Sequence, residues 1–79
     1  MDRLSSAKRV AGIKQTKGAI TSGEAMVVYV ACDADAARLA EITELCARCG
    51  VEVVSNHSGK EIAKACRIDV SCSAAAVLK

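Results

Sequence analysis

The sequence predicts a single α/β domain of three layers, with helices covering both faces of a sheet. Three observations carry that prediction. Apolar β-type runs alternate with helical patterns along the chain, as in a sheet covered on both sides. The strongest run, Ala25 to Cys32 (AMVVYVAC), is continuously apolar and rich in β-branched residues, which suits a strand buried on both faces. The 79 residues are 52% hydrophobic, with no proline and Tyr29 as the sole aromatic, so the core must be close-packed Ala, Val, Ile, Leu and Cys. A chain of this length makes one domain spanning residues 1–79, and low hydrophobicity of the disordered kind is excluded.

Each element has its own local signal. Leu4, Ala7 and Val10 share a helical face, predicting a short helix from Arg3 to Val10. A brief strand or turn follows at Ala11 to Lys14, interrupted by Gly12. Gln15 to Ser22 reads as a second helix that turns Ala19 and Ile20 inward and stops at Gly23. After the main strand, Asp33 is expected to cap a helix from Ala34 to Cys49. Its apolar stripe is Leu39, Ile42, Leu45, Cys46 and Cys49, with Arg48 in the last turn and Gly50 as the stop. Val51 to Val54 is the next strand. Ser58 and Glu61 form a Ser-x-x-Glu capping box for a helix that faces Ile62, Ala65 and Cys66 to the core. Ile68 to Val70 reads as a loop and Ser73 to Leu78 as the last strand, where Ala74 to Ala76 imply close packing.

Net charge is only +2, but it is unevenly spread. Residues 1–18 carry five basic residues against Asp2, whereas the other 61 carry six basic and eight acidic. A basic end on a slightly acidic body can orient a protein toward phosphate, although a solvated helix face gives the same pattern. No apolar run is long enough to span a membrane, and no uninterrupted apolar segment follows the basic start. A soluble, cytoplasmic protein is expected. The five cysteines are an odd number without a secreted framework's spacing, which suits reduced thiols.

Catalysis finds no residues to carry it. The glycines match neither phosphate-loop nor dinucleotide patterns, and His57 has no nucleophile motif beside it. Cys46-Ala-Arg-Cys49 has redox spacing but lies at a helix C-terminus, where the dipole opposes a thiolate. A structural zinc would need two more ligands, with Cys66, Cys72 and His57 as the available side chains. Plain core cysteines are the simpler reading, and no cofactor or metal is expected. Two other segments stand out. Gly12-Ile-Lys-Gln-Thr-Lys-Gly18 opens a helix with polar and basic residues, where free N–H groups and the dipole suit phosphate. Ile68-Asp-Val-Ser71 places two apolar side chains in a short loop, either packed on the core or forming a shelf for an unstacked base.

These segments, in this order and separation, resemble the L-seven-Ae / L-thirty-e ribosomal protein superfamily of kink-turn RNA binders, in particular its short bacterial members. The resemblance covers nearly the whole chain. It rests on Gly12-Ile-Lys-Gln-Thr, Ala31-Cys-Asp-Ala-Asp35, Cys49-Gly-Val and Ser58-Gly-Lys-Glu-Ile-Ala-Lys-Ala-Cys-Arg-Ile-Asp-Val70. It implies an α/β/α sandwich on a four-stranded mixed sheet and recognition of a sharply bent RNA built around tandem sheared G·A pairs. The family's Gly-x-Asn-Glu-x-x-Lys motif falls on Gly12, Lys14, Gln15 and Gly18, so Lys14 and Gln15 would contact the G·A pairs. Ile68, Val70 and Ser71 would pack on the flipped-out nucleotide, with Lys17, Lys60 and Arg67 as further backbone contacts. Three positions depart from the pattern: Gly18 replaces the motif lysine, Ile62-Ala63 replaces Leu-Gly, and Arg67 replaces a glycine. The expected function is therefore non-catalytic binding of a kink-turn in ribosomal RNA, a riboswitch or another structured leader, by a monomer that is either a ribosome component or a free regulator. The alternative is a protein-interaction module on the same fold with an eroded RNA face.

Overall fold

A computed structural model describes residues 8–68 and 72–79. Four strands form one mixed sheet in the order β1-β4-β2-β3. β1 is Arg9–Ala11, β2 Ala25–Ala31, β3 Glu52–His57 and β4 Ala74–Leu78. The helices are α1 (Ile13–Thr21), α2 (Ala36–Cys49) and α3 (Gly59–Ala65). β2 runs parallel to β3 and antiparallel to β4, and β1 pairs antiparallel with β4 in the register Arg9↔Val77 to Ala11↔Ala75.

The alternation of side chains along β2 and β4 divides the core in two. Val28, Val30, Ala74 and Ala76 meet Ala19 and Ile20 of α1 and Leu39, Ile42 and Cys46 of α2 on one face. Val27, Tyr29, Ala31, Ala75 and Val77 meet Ile62, Ala63 and Cys66 of α3 on the other. The three-layer sandwich and its mixed four-stranded sheet are thus as expected. Ala74, Ala75 and Ala76 are fully buried, and their small side chains let helices approach β4 from both sides.

Helix ends follow local chemistry. Gly50 ends α2 in the left-handed region (φ 68°), as its sequence position predicts. Ser58 and Glu61 form the reciprocal capping box: the Glu61 N–H donates to Ser58 Oγ at 3.2 Å, and the Ser58 N–H donates to Glu61 Oε1 at 3.1 Å. Beyond α1, the Gly23 N–H reaches the Ile20 carbonyl and the Glu24 N–H the Ala19 carbonyl, a Schellman ending with glycine at φ 78°.

Several boundaries differ from expectation. Arg9 and Val10 are strand, not the end of a helix; the rest of the expected Arg3–Val10 helix falls outside the described residues, apart from Lys8. The cause is non-local, because β4 recruits Arg9–Ala11 as an edge partner. α1 begins at Ile13, two residues early, since Gly12 turns the chain directly out of β1. Asp33 does not cap α2. Asp35 does, accepting from the Ala37 N–H at 3.0 Å, and α2 starts at Ala36. Asp33 instead accepts from the Gly59 N–H at 2.9 Å, tying the end of β2 to the start of α3. β3 runs on to His57 because Ala31 still pairs with it, across a register shift. Cys49 is exposed rather than in the core stripe, being the last residue of α2 where the chain turns away at Gly50. In α3 the buried residues are Gly59, Ile62 and Ala63, with Ala65 at the margin, and the C-cap Cys66 is buried just beyond.

Candidate nucleic-acid interface

The backbone brings four chain segments to one end of the sandwich. The Gly12 N–H donates to the Ala74 carbonyl at 2.8 Å, the Ala31 N–H to the Ser73 carbonyl at 2.8 Å, and the Cys72 N–H to the Gly59 carbonyl at 3.1 Å. The β1–α1 junction, the start of β4, the end of β2 and the start of α3 therefore lie in one row. A cleft of about 230 Å³ opens among Ala31, Asp33, Ala34, Gly59, Cys72 and Ser73. It is smaller than the roughly 300–1,000 Å³ of small-molecule sites.

Gly12 has φ 107° and ψ 151°, a region that side chains with a Cβ essentially never occupy. A Cβ there would also stand 2.5 Å from Gln15 Oε1, so Gln15 lies folded back over the glycine. Position 12 is the N-cap of α1 and contributes no side-chain cap, and the first turn holds no acidic residue. The helix thus presents N–H groups and the positive dipole end without a competing carboxylate. Thr16, Ala19 and Ile20 are buried, which turns Lys14, Gln15 and Gly18 to solvent. The Thr16 hydroxyl has no hydrogen-bond partner among the described residues. Lys17 points elsewhere: its ammonium is paired with Glu41 of α2 at 3.0 Å. Gly18 meets nothing within 4 Å of where a Cβ would stand, so the surface there has room for a side chain.

The second segment leaves the C-terminus of α3. The Arg67 N–H donates to the Lys64 carbonyl at 3.1 Å and the Ile68 N–H to the Ala63 carbonyl at 3.0 Å, a Schellman ending like that of α1. Here, however, arginine holds the left-handed position, at φ 60°. Arg67 is exposed, and Ile68 is one of two large apolar side chains exposed among the described residues. Lys60 is exposed on the first turn of α3. Val70 and Ser71, the other expected shelf residues, lie outside the described residues. The Cys72 Sγ–H donates to the Ala74 carbonyl at 2.9 Å and secures the return of the chain to the sheet.

One contact had no signal in the sequence. A guanidinium N–H of Arg9 donates to the Cys66 carbonyl at 3.2 Å, across 57 residues. Nothing in a sequence marks a carbonyl as an arginine's partner. The Asp33 bond to Gly59 replaces an expected one, because Asp33 reads as the cap of α2 and Asp35 takes that place.

The cysteines divide between the two faces of the sheet. Cys46 is in the α1–α2 layer and Cys66 and Cys72 are in the α3 layer, so the sheet separates them. Burial pushes the Cys46 thiol up, and neighbouring Cys49 adds to the shift. Burial also raises Cys66, with Cys72 acting in the same sense and Arg9 opposing. Among the described residues no group of three or more His, Cys, Asp and Glu side chains is arranged to hold a metal ion.

Residues 2–79 match the model of the Ribosomal protein L7Ae/L30e/S12e/Gadd45 family. The chain belongs to that family. It is 40% identical over 76 residues to the RNA-binding protein YbxF of Geobacillus stearothermophilus, covering 96% of this chain and 93% of that one. It is 37% identical, with the same coverage, to an RNA-binding protein of Geobacillus sp. strain WCH70. The fold superposes on the Giardia lamblia 15.5kD RNA binding protein with a TM-score of 0.84 at 25% identity, over 90% of this chain and 60% of that one. It also superposes on a protein of unknown function from Bacillus halodurans C with a TM-score of 0.88 at 16% identity, a likeness of fold.

Proposed function

We propose that this chain is a non-catalytic RNA-binding protein whose target is a kink-turn. The observation that carries the reading is the start of α1. It is uncapped and free of acid, it is built on a backbone angle reserved for glycine, and it presents Lys14 and Gln15 to solvent with Gln15 laid over Gly12. Family membership and the RNA-binding relatives support the same reading. Lys14 and Gln15 contact the sheared G·A pairs, and the N–H groups of the first turn take a phosphate. Ile68, with Val70 and Ser71, packs on the extruded nucleotide, while Lys60 and Arg67 contact backbone phosphates. Lys17, held by Glu41, contributes field rather than a direct contact. The protein acts as a cytoplasmic monomer on a ribosomal or riboswitch kink-turn.

Calorimetric titration with a short kink-turn RNA, beside a control with Watson–Crick pairs in place of the G·A pairs, tests this directly. Tight binding to the first and little to the second is expected, with affinity falling by a log–log salt slope of about −0.7 to −0.9 per phosphate neutralised. Gln15→Ala should shrink the preference between the two RNAs. Equal, weak binding to both would favour a protein-interaction module, a reading that the open position at Gly18 and the engaged Lys17 motivate.

A further inference from the structure

We infer that Arg9 is a positioning residue that ties the Arg67–Ile68 turn at the end of α3 to β1, and so governs recognition of the extruded nucleotide; the inference rests on the RNA reading above. Arg9 opens β1, three residues before Gly12. Alternation along β1 puts Arg9 and Ala11 on the face covered by α3, where Ala11 packs against the α3 cluster. From there the Arg9 guanidinium donates to the Cys66 carbonyl, at the C-cap of α3.

The location of that bond gives it consequence. Carbonyls at a helix C-terminus lack intrahelical donors and carry the negative end of the dipole, so a guanidinium is their natural partner. The next residue is Arg67 in the left-handed region, and the one after is exposed Ile68. The two Schellman hydrogen bonds fix the turn relative to α3, whereas Arg9 fixes it relative to β1. β1 continues through Gly12 into the residues that face the G·A pairs. One charge-assisted hydrogen bond thus joins the two halves of the RNA surface, which are otherwise more than 50 residues apart in the chain. Arg9 is half-buried, and its charge is directed at a carbonyl of its own chain.

The test compares wild type, Arg9→Leu and Arg9→Lys on two kink-turn RNAs, one intact and one with an abasic residue at the extruded position. Wild type should prefer the intact RNA. Arg9→Leu should lose roughly tenfold on the intact RNA and little on the abasic one, so the preference collapses. Its salt slope should match wild type, because no phosphate contact is removed. Arg9→Lys keeps a cationic donor on the strand and should recover part of the preference. Amide exchange of Arg67 and Ile68 in free protein should quicken in Arg9→Leu and less so in Arg9→Lys. That measurement carries the test if Arg9→Leu is too unstable to titrate, since Arg9→Lys against wild type then decides it.

Equal losses on both RNAs with a salt slope shallower by about 0.7 to 0.9 would make Arg9 a phosphate contact and overturn the inference. So would unchanged binding and exchange in Arg9→Leu. If wild type fails to distinguish kink-turn from Watson–Crick control, the functional reading falls and this inference falls with it. If wild type distinguishes them and Arg9→Leu keeps the nucleotide preference, only the inference falls.

Discussion

Arg67 occupies a backbone position that α1 and α2 give to glycine: Gly23 after α1 and Gly50 after α2. A non-glycine residue in the left-handed region costs about 1–2 kcal/mol, and glycine returns part of that as about 0.4–1 kcal/mol of unfolded-chain entropy. Arg67→Gly should therefore stabilise the protein by about 0.5–1 kcal/mol, raising the melting temperature a few degrees in a domain of this size. The same substitution removes an exposed cation beside Ile68, so RNA affinity should fall and the salt slope become shallower by about one phosphate's worth. Stability and binding moving in opposite directions is the signature. A melting temperature that drops instead would mean the Arg67 side chain makes a compensating contact in the folded state.

At the scale of elements, the capping box of α3 makes a pH-dependent contribution. The Ser58 N–H, followed by His57, lowers the Glu61 carboxyl from its ordinary value. A depressed folded-state value means the stabilisation is present above the unfolded-state pKa and is lost as pH falls through the folded one. Urea midpoints should decline on the acid side of the carboxylate range, and Glu61→Gln should flatten that decline. An unchanged slope in Glu61→Gln would assign the acid sensitivity to other carboxylates. His57 Nδ1 lies 3.5 Å from Glu61 Oε2 and so joins the end of β3 to the same cap.

Elements with signals inside their own sequence were legible, and those defined by a distant partner were not. β2, the Gly50 stop and the capping box are written in short runs of β-branched residues, glycine and Ser-x-x-Glu. β1 is three residues long and exists because β4 lies beside it, so its apolar spacing suited a helix equally well. Asp33 reads as the cap of α2, but Asp35 takes that place while Asp33 bonds Gly59, a residue far along the chain. The candidate interface divides the same way. Gly12, Lys14, Gln15 and Ile68 came from a resemblance in ordered motifs; a backbone hydrogen bond ties the Gly12 junction to the start of β4, and the turn before Ile68 is tied to β1 by the Arg9 side chain. The Lys17–Glu41 pair needed helix packing to be seen, and the Arg9 bond needed three dimensions altogether.

For the molecule as a whole, the sheet separates two cores, with Ala34 packed against both. Ile42 is buried in the layer with α1, and Ile62 in the layer with α3. Ile42→Val and Ile62→Val should each cost about 0.5–1.5 kcal/mol, and the double variant should cost their sum to within about 0.5 kcal/mol. Chemical denaturation of the four proteins checks this. A coupling well beyond that margin would show that β2 and β4 transmit strain between layers.

The place of β4 also bears on how quickly the molecule can form. It stands between β1 and β2, pairing Arg9 with Val77 on one side and Val28 with Ala76 on the other. Those partners are 68 and 48 positions apart by their residue numbers. Ring closure over such distances costs entropy before any hydrogen bond repays it. β2 and β3 can meet early through the local α2 crossover. Neither β1 nor the row of backbone bonds that gathers the interface can assemble until β4 arrives. The pairing of β1 and the gathering of the candidate interface thus both depend on β4 taking its central place in the sheet.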